Sequence, residues 1–203
     1  YGDDLAKQKE CRDKIKEASG FLLDLVNNIL DMNKLESGSV VLEHKPFEML
    51  QLLNETYNIT SMNADIKGIS VSFDYTKIQH THLLGSPLHL KQALQNVVGN
   101  AVKYNRTGGS IRLSAEELSC ADDKVTYRFI CTDTGCGMSE EFIQHAFEPF
   151  AQEDSSARTS YMGTGLGLAI VKQLIEMMGG TVQVQSQLQV GTTFCIDMPF
   201  DLA

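Results

Sequence analysis

Three glycines at alternate positions, Gly163, Gly165 and Gly167, lead straight into the apolar run Leu168-Ala169-Ile170-Val171 of a helix that Gly179-Gly180 ends. This junction constrains the fold more than any other stretch of the chain. Backbone N–H groups with little steric hindrance gather at a helix N-terminus, which is an anion site by construction. The apolar side of the same helix must lie on a second layer. Two phosphate-binding arrangements fail on spacing. A dinucleotide fingerprint needs a glycine where Leu168 stands and a strand leading in, and a P-loop needs Gly-Lys-Ser/Thr. The approach is instead a polar stretch, residues 151–162, which reads as a lid hinged at Phe150 and Gly163 with Arg158 as its one cation. By itself the glycine run fits a phosphate site or a helix start that needs only backbone freedom.

Upstream, Asp133-Thr134-Gly135-Cys136-Gly137-Met138 follows an alternating run, residues 125–131, that reads as a strand with Asp133 at its end. Gly135 and Gly137 let a ligand approach the loop closely, and Met138 offers a soft apolar wall. Further upstream, Asn96 and Asn100 stand four apart in a helical pattern, so both amides share a face that Lys103 extends. The other face carries Leu90, Leu94, Val97, Ala101 and Val102. Asn costs roughly a few tenths of a kcal/mol against Ala in a helix, so two in one stripe point to side-chain work. An amide oxygen is a hard, neutral ligand able to hold Mg²⁺ while phosphates and waters complete the octahedron. Lys103 offers a point charge to phosphate oxygens. The alternative is a solvated polar face.

Residues 9–36 place Ile15, Ala18, Leu22, Leu25, Ile29 and Met32 at spacings of three and four, the seam of a helical bundle. Phe21, Val26, Leu30 and Leu35 widen it, as expected of a helix with more than one neighbour, and Gly38 suits a C-cap. No second helix of comparable length follows. Another chain, a further segment or the following domain must therefore bury the stripe. Beyond Gly38, patterning predicts strands at 40–42, 69–75, 83–85, 111–118, 125–133, 181–186 and 193–198, and helices at 47–64, 88–104 and 166–178. The expected fold is a two-layer α/β sandwich, a mixed sheet of about five strands covered on one face by three helices, preceded by one long bundle-forming helix. Two units are expected, residues 1–38 and 39–203.

Composition limits the partners. Seventeen basic against 26 acidic side chains give a net charge of −9, which excludes nucleic acid or an anionic membrane as bulk partners. A polyanion must be held by local cations and backbone N–H groups. Five cysteines without C-x-x-C spacing point to a reducing compartment and no zinc site, with Cys131 and Cys195 as small buried hydrophobes. No apolar run approaches membrane-spanning length and no signal peptide is visible, so a soluble, cytoplasmic piece is expected.

Five elements in fixed order carry a resemblance: Asn96 to Tyr104, Asp133 to Met138, Phe147-Glu148-Pro149-Phe150, Gly163 to Leu168, and Gly191-Thr192-Thr193-Phe194. They resemble the N, first glycine, F, second glycine and final Gly-Thr boxes of sensor histidine kinases, within the wider group that includes gyrase, the ninety-kilodalton heat-shock chaperone and mismatch-repair ATPases. Residues 23–38 look like the second helix of the kinase dimerisation hairpin. The resemblance implies the ATP-binding fold of that group, ATP and Mg²⁺ as cofactors, and phosphoryl transfer to a histidine. It makes Asn96, Lys103 and Arg158 catalytic and Asn96 and Asn100 metal ligands. The implied nucleotide contacts are Asn100, Lys103, Tyr104, Asp133, Gly135, Gly137, Met138, Phe150, Gly163, Thr164, Gly165, Leu166, Gly167, Leu168 and Thr192. Asp133 resembles the residue that accepts a hydrogen bond from the adenine amino group; guanine would oppose an acceptor to an acceptor. Arg158 either meets the γ-phosphate or is merely solvated, and Phe147 and Phe150 either anchor the lid stem or are plain core.

Departures from the pattern are informative. The ATPases of the group carry Glu at position 96, a general base for water, whereas Asn96 takes no proton at neutral pH. Gyrase-like hydrolysis is thereby disfavoured. His44, His80, His82, His89 and His145 all lack the acceptor context, so the substrate histidine is expected on a segment missing from this chain. Ser86 and His89 stand where the family usually has Asp and Arg, which affects capping more than chemistry. The implied partners are a second copy through the N-terminal helix and a response regulator receiver domain.

Overall fold

The computed structural model describes residues 5–153 and 163–203. The first element, α1 (Leu5–Glu36), has two faces. Phe21, Leu25, Asn28, Met32 and Leu35, spaced four and three apart, are partly or fully buried along the face packed on the last helix of the chain. Ile15, Leu22, Val26, Ile29 and Leu30 stay exposed. The expected seam is therefore split: Met32 joins the domain core while Ile15, Leu22 and Ile29 remain uncovered. Gly38, with φ +65°, ends the helix: Ser39 N–H bonds Lys34 O (3.0 Å) and Gly38 N–H bonds Leu35 O (3.1 Å), satisfying two carbonyls of the last turn.

The remaining elements are β1 (Lys45–Glu48), α2 (Met49–Ile66), β2 (Ser70–Lys77), β3 (His82–Gly85), α3 (Pro87–Lys103), β4 (Ser110–Ala121), β5 (Lys124–Asp133), α4 (Glu140–His145), α5 (Gly167–Met177), β6 (Thr181–Gln187) and β7 (Gly191–Leu202). The strands form one sheet of seven rather than about five, in the order β1-β3-β7-β5-β4-β2 with β6 also on β7. The β2–β4 pair is parallel and the others antiparallel, so the sheet is mixed as expected. One strand is displaced from its expected place. Residues 40–42 form no strand, and Val41 is 81% exposed; the strand lies at β1, where β3 offers a ladder edge. The apolar triplet of 40–42 imitated a strand without a pairing partner. The short helix α4, capped by Ser139 on Phe142 N–H (3.2 Å), carries too few apolar residues to be read from periodicity.

Helices α2, α3 and α5 cover one face of the sheet. Leu53, Leu90, Val97, Ile170 and Leu174 meet Ile111, Leu113, Phe129, Phe194 and Ile196 in a single core. Strand β5 buries Val125, Tyr127, Phe129, Cys131 and Asp133, every second residue. The same alternation that places aromatic rings in the core thus carries Asp133 to the helix-covered face. Pro87 opens α3 as expected, while Ser86 bonds His89 Nδ1 (2.7 Å) instead of capping the helix through its side chain.

Candidate functional site

A cleft of about 740 Å³ opens at the end of β5 bearing Asp133. It is bounded by the polar face of α3, the loop after β5, the start of α5 and the side of α1. Asn96, Asn100, Lys103, Tyr104, Asp133, Gly135, Gly137, Met138, Gly163, Thr164, Gly165, Gly167, Leu168 and Thr192 all line it. Two expected contacts lie elsewhere. Leu166 is fully buried in the core, and the Phe150 ring is 63% exposed. Arg158 and the lid residues 154–162 lie outside the described residues.

The α3 stripe arises from helical geometry. Leu90, Val97 and Ala101 turn to the sheet, which leaves Asn96 and Asn100 on the opposite, cleft side. Lys103 follows in the last turn, its Nζ 5.2 Å from the centre of the Tyr104 ring. Burial pushes the Lys103 ammonium below the usual lysine range; Lys67 adds to that and Asp24 opposes it. A cation poised in this way gains from any anion placed beside it.

Asp133 is buried, and its Oδ1 accepts the Gly135 N–H at 2.8 Å. Burial raises its pKa above the usual aspartate range, while the backbone N–H groups of Gly135 and Thr192 pull it back. The loop can adopt this path because position 135 has no side chain: a Cβ would sit 2.5 Å from the Tyr104 carbonyl oxygen. That carbonyl accepts the Cys136 N–H (3.0 Å), tying the end of α3 to the loop. Ser186 braces two lining residues from behind, its Oγ 2.8 Å from Thr192 Oγ1 and accepting the Met138 N–H at 2.8 Å.

At the start of α5, the N-cap residue is Leu166, which has no side chain able to accept the leading N–H groups. Gly167 and Leu168 border the cleft there, so the open helix end faces it. Gly165 has φ +71°, and a Cβ would fall 2.7 Å from the Phe150 carbonyl carbon, so the two stems of the lid touch through backbone. A Cβ on Gly163 would lie 3.1 Å from Lys103 Nζ and one on Gly167 3.9 Å from Asn96 Oδ1. The glycine run and the α3 stripe are therefore opposed across one space. Gln152 bonds the Gly163 carbonyl (2.9 Å), and Glu153 accepts the Ser139 N–H (2.9 Å).

Sequence patterning missed several wall residues. Phe21, Asp24, Asn27 and Asn28 of α1 line the cleft, and Asn28 Nδ2 donates to Thr164 Oγ1 at 3.1 Å. No local signal identifies these, because their role depends on how α1 docks. Asn105, buried just past α3, binds the Ser110 carbonyl (3.2 Å) and accepts the Arg106 N–H (3.0 Å). Its place directly after the helix was the one available clue. Among the described residues no group of His, Cys, Asp and Glu is arranged to hold a metal ion. None of the five histidines lines the cleft. No described helix is long and apolar enough to cross a membrane.

A mixed sheet under three helices, with an amide-bearing helix, a strand-end Asp and an uncapped helix start around one cleft, defines a class of α/β sandwich built to hold a polyanion beside a polar group that must hydrogen-bond. Residues 85–202, more than half of the chain, match the family described as histidine kinase-, DNA gyrase B-, and HSP90-like ATPase, and the chain belongs to that family. Signal transduction histidine-protein kinase BarA of Escherichia coli (strain K12) is 32% identical over 195 residues, covering 96% of this chain and 21% of BarA. Sensor histidine kinase GacS of Pseudomonas protegens is 37% identical over 193 residues, covering 95% of this chain and 21% of GacS. The chain thus spans about a fifth of the length of these relatives. The structure of full-length ShkA in complex with AMPPNP is 33% identical and matches 97% of this chain and 40% of ShkA with a TM-score of 0.79.

Proposed function

We propose that the cleft binds Mg²⁺-ATP and that the chain is the catalytic ATP-binding part of a sensor histidine kinase, acting on a histidine of the dimerisation hairpin outside these residues. One observation carries the reading: a buried carboxylate, Asp133, held by Gly135 and Thr192 N–H groups, shares a cleft with the uncapped start of α5. A base-sized acceptor site beside an anion site matches the two ends of a nucleotide. Asp133 accepts from the adenine amino group and disfavours guanine, whose carbonyl would face it unpaired. The N–H groups at Gly167 and Leu168 and the Lys103 ammonium hold phosphate oxygens. Asn96 and Asn100 supply neutral amide oxygens for Mg²⁺, the chemistry left open where the described residues hold no acidic cluster. ATP supplies the γ-phosphoryl group. The chain aligns it and neutralises its charge, which is most of what phosphoryl transfer requires.

Residues 39–203 then form the catalytic unit and 1–38 part of the dimerisation hairpin, paired with a second copy through the exposed face of α1. A response regulator receiver domain is the downstream partner. The test is calorimetry with ATP and GTP, followed by phosphotransfer from labelled ATP to a complete hairpin domain supplied in trans. Selective ATP binding with transfer supports the proposal. Equal affinity for GTP overturns the adenine assignment. ATP binding without transfer favours a nucleotide-sensing module instead.

A further inference from the structure

Away from the cleft, a glutamate, a histidine and a cysteine meet near the β4–β5 turn. Glu117 Oε1 accepts the backbone N–H groups of Gln79 and His80 and the Tyr127 hydroxyl, and its Oε2 lies 2.9 Å from His80 Nδ1. The single Tyr127 hydroxyl hydrogen is shared between Glu117 and the His80 carbonyl, fixing the loop that carries the ring. Burial pushes the Glu117 carboxyl up, but the bonds from His80, Gln79 and Tyr127 outweigh it and the net displacement is below the usual glutamate range. An ionised carboxylate only accepts, so His80 Nδ1 carries the hydrogen and Nε2 is the ring atom turned toward the cysteine. Cys120 Sγ lies 3.9 Å from that nitrogen, and Cys120 is exposed.

A β-bulge makes the meeting possible. Glu117 and Cys120 are three residues apart, and a regular strand would send them to opposite faces. The β4–β5 register slips between Glu117, opposite Tyr127, and Ser119, opposite Thr126. Leu118 is the extra residue, and it resets the alternation so that both side chains reach His80. None of these groups lines the cleft. Cys120 pairs with Val125, and Asp133 lies at the far end of β5, about 27 Å away by strand rise.

We propose that Cys120 is a modification site, a thiol that His80 deprotonates and Glu117 orients through the ring, reactive toward a small peroxide. The thiol proton passes to His80 Nε2, and the thiolate attacks one peroxide oxygen. An S–O bond forms as the O–O bond breaks, and the leaving hydroxide takes the proton from His80 and departs as water. Sulfur loses two electrons to become a sulfenic acid, and the peroxide is reduced. A nucleophile, a base and an orienting carboxylate in this order are the parts of an activated nucleophile.

The full chain is treated with hydrogen peroxide and dimedone, and the labelled cysteines are quantified by mass spectrometry. Cys11, the other exposed cysteine, is the internal reference. Cys120 is expected to be labelled about tenfold faster than Cys11, because only Cys120 has an imidazole nitrogen beside it. His80→Gln is expected to bring Cys120 down to the Cys11 rate while ATP affinity, which these residues do not touch, stays unchanged as the check on folding. Iodoacetamide should rank the two thiols in the same order. Equal labelling of Cys11 and Cys120 in the unaltered chain overturns the proposal without any variant, and so does a His80→Gln protein that still binds ATP and reacts as fast as before.

Discussion

Asp133 does its work through position more than through acidity. Burial lifts its pKa while the Gly135 and Thr192 N–H groups stabilise the charge, and in the proposed complex the carboxylate accepts from the adenine amine. Asp133→Asn is expected to cost about 1–3 kcal/mol of ATP binding, roughly five- to 150-fold in calorimetric affinity, because the amide donor is free to face the adenine amine. An unchanged affinity would place the base elsewhere. Lys103 provides a pH signature. Its folded-state pKa lies below the usual lysine range, so the charge is present at low pH and is lost as pH rises, earlier than for a solvated lysine. ATP affinity should fall in that window while adenosine affinity stays level, since only the phosphates meet the ammonium. A parallel fall for both ligands would exclude the phosphate role.

At the scale of elements, α3 and α1 show two ways in which a helix serves a site. On α3 a single turn separates Asn96 from Asn100, and the apolar face opposite fixes their direction. Asn100→Asp should disturb Mg²⁺-dependent ATP binding more than metal-free ADP binding, measured by titration with and without the metal. If both respond equally, the stripe is only a solvated face. On α1 the two faces differ in what they meet. Leu35→Ala, on the buried side, is expected to lower stability by roughly 2–4 kcal/mol in thermal or urea unfolding. Leu22→Ala, on the exposed side, should leave the unfolding of a dilute sample nearly unchanged and weaken self-association, read by sedimentation. Loss of stability from both would mean that α1 is covered all round within one chain.

For the whole molecule, the chemistry of phosphoryl transfer decides what the chain does alone. A nucleophile must stand in line with the leaving phosphate. Among the described residues the histidines are engaged elsewhere: His80 with Glu117, His89 with Ser86 and His145 with Glu148. His44 lies 3.7 Å from Asp201, and His82 bonds Thr81. The purified chain is therefore expected to bind ATP, to hydrolyse it slowly for want of a base at Asn96, and to acquire no acid-labile phosphate. Radiolabel on any of the five histidines after incubation with labelled ATP would show that the acceptor lies within this chain.

Local periodicity was enough to read the helices α2, α3 and α5, most strands, the strand that ends at Asp133 and the stripe that joins Asn96 to Asn100. These depend on repeats of 3.6 and 2 residues, which every short segment carries in itself. The order of the glycine and asparagine boxes was likewise legible, since it is a property of the linear chain. Tertiary structure decided the rest. It set β1 at the edge of β3 rather than at 40–42, because a strand needs a partner as well as apolar residues. It made Phe21, Asp24, Asn27 and Asn28 a wall of the cleft, turned Leu166 into core, and brought Glu117, His80 and Cys120 together through a bulge. Each of these outcomes depends on register and docking between segments distant in the chain, and such contacts leave no periodic trace in either partner alone.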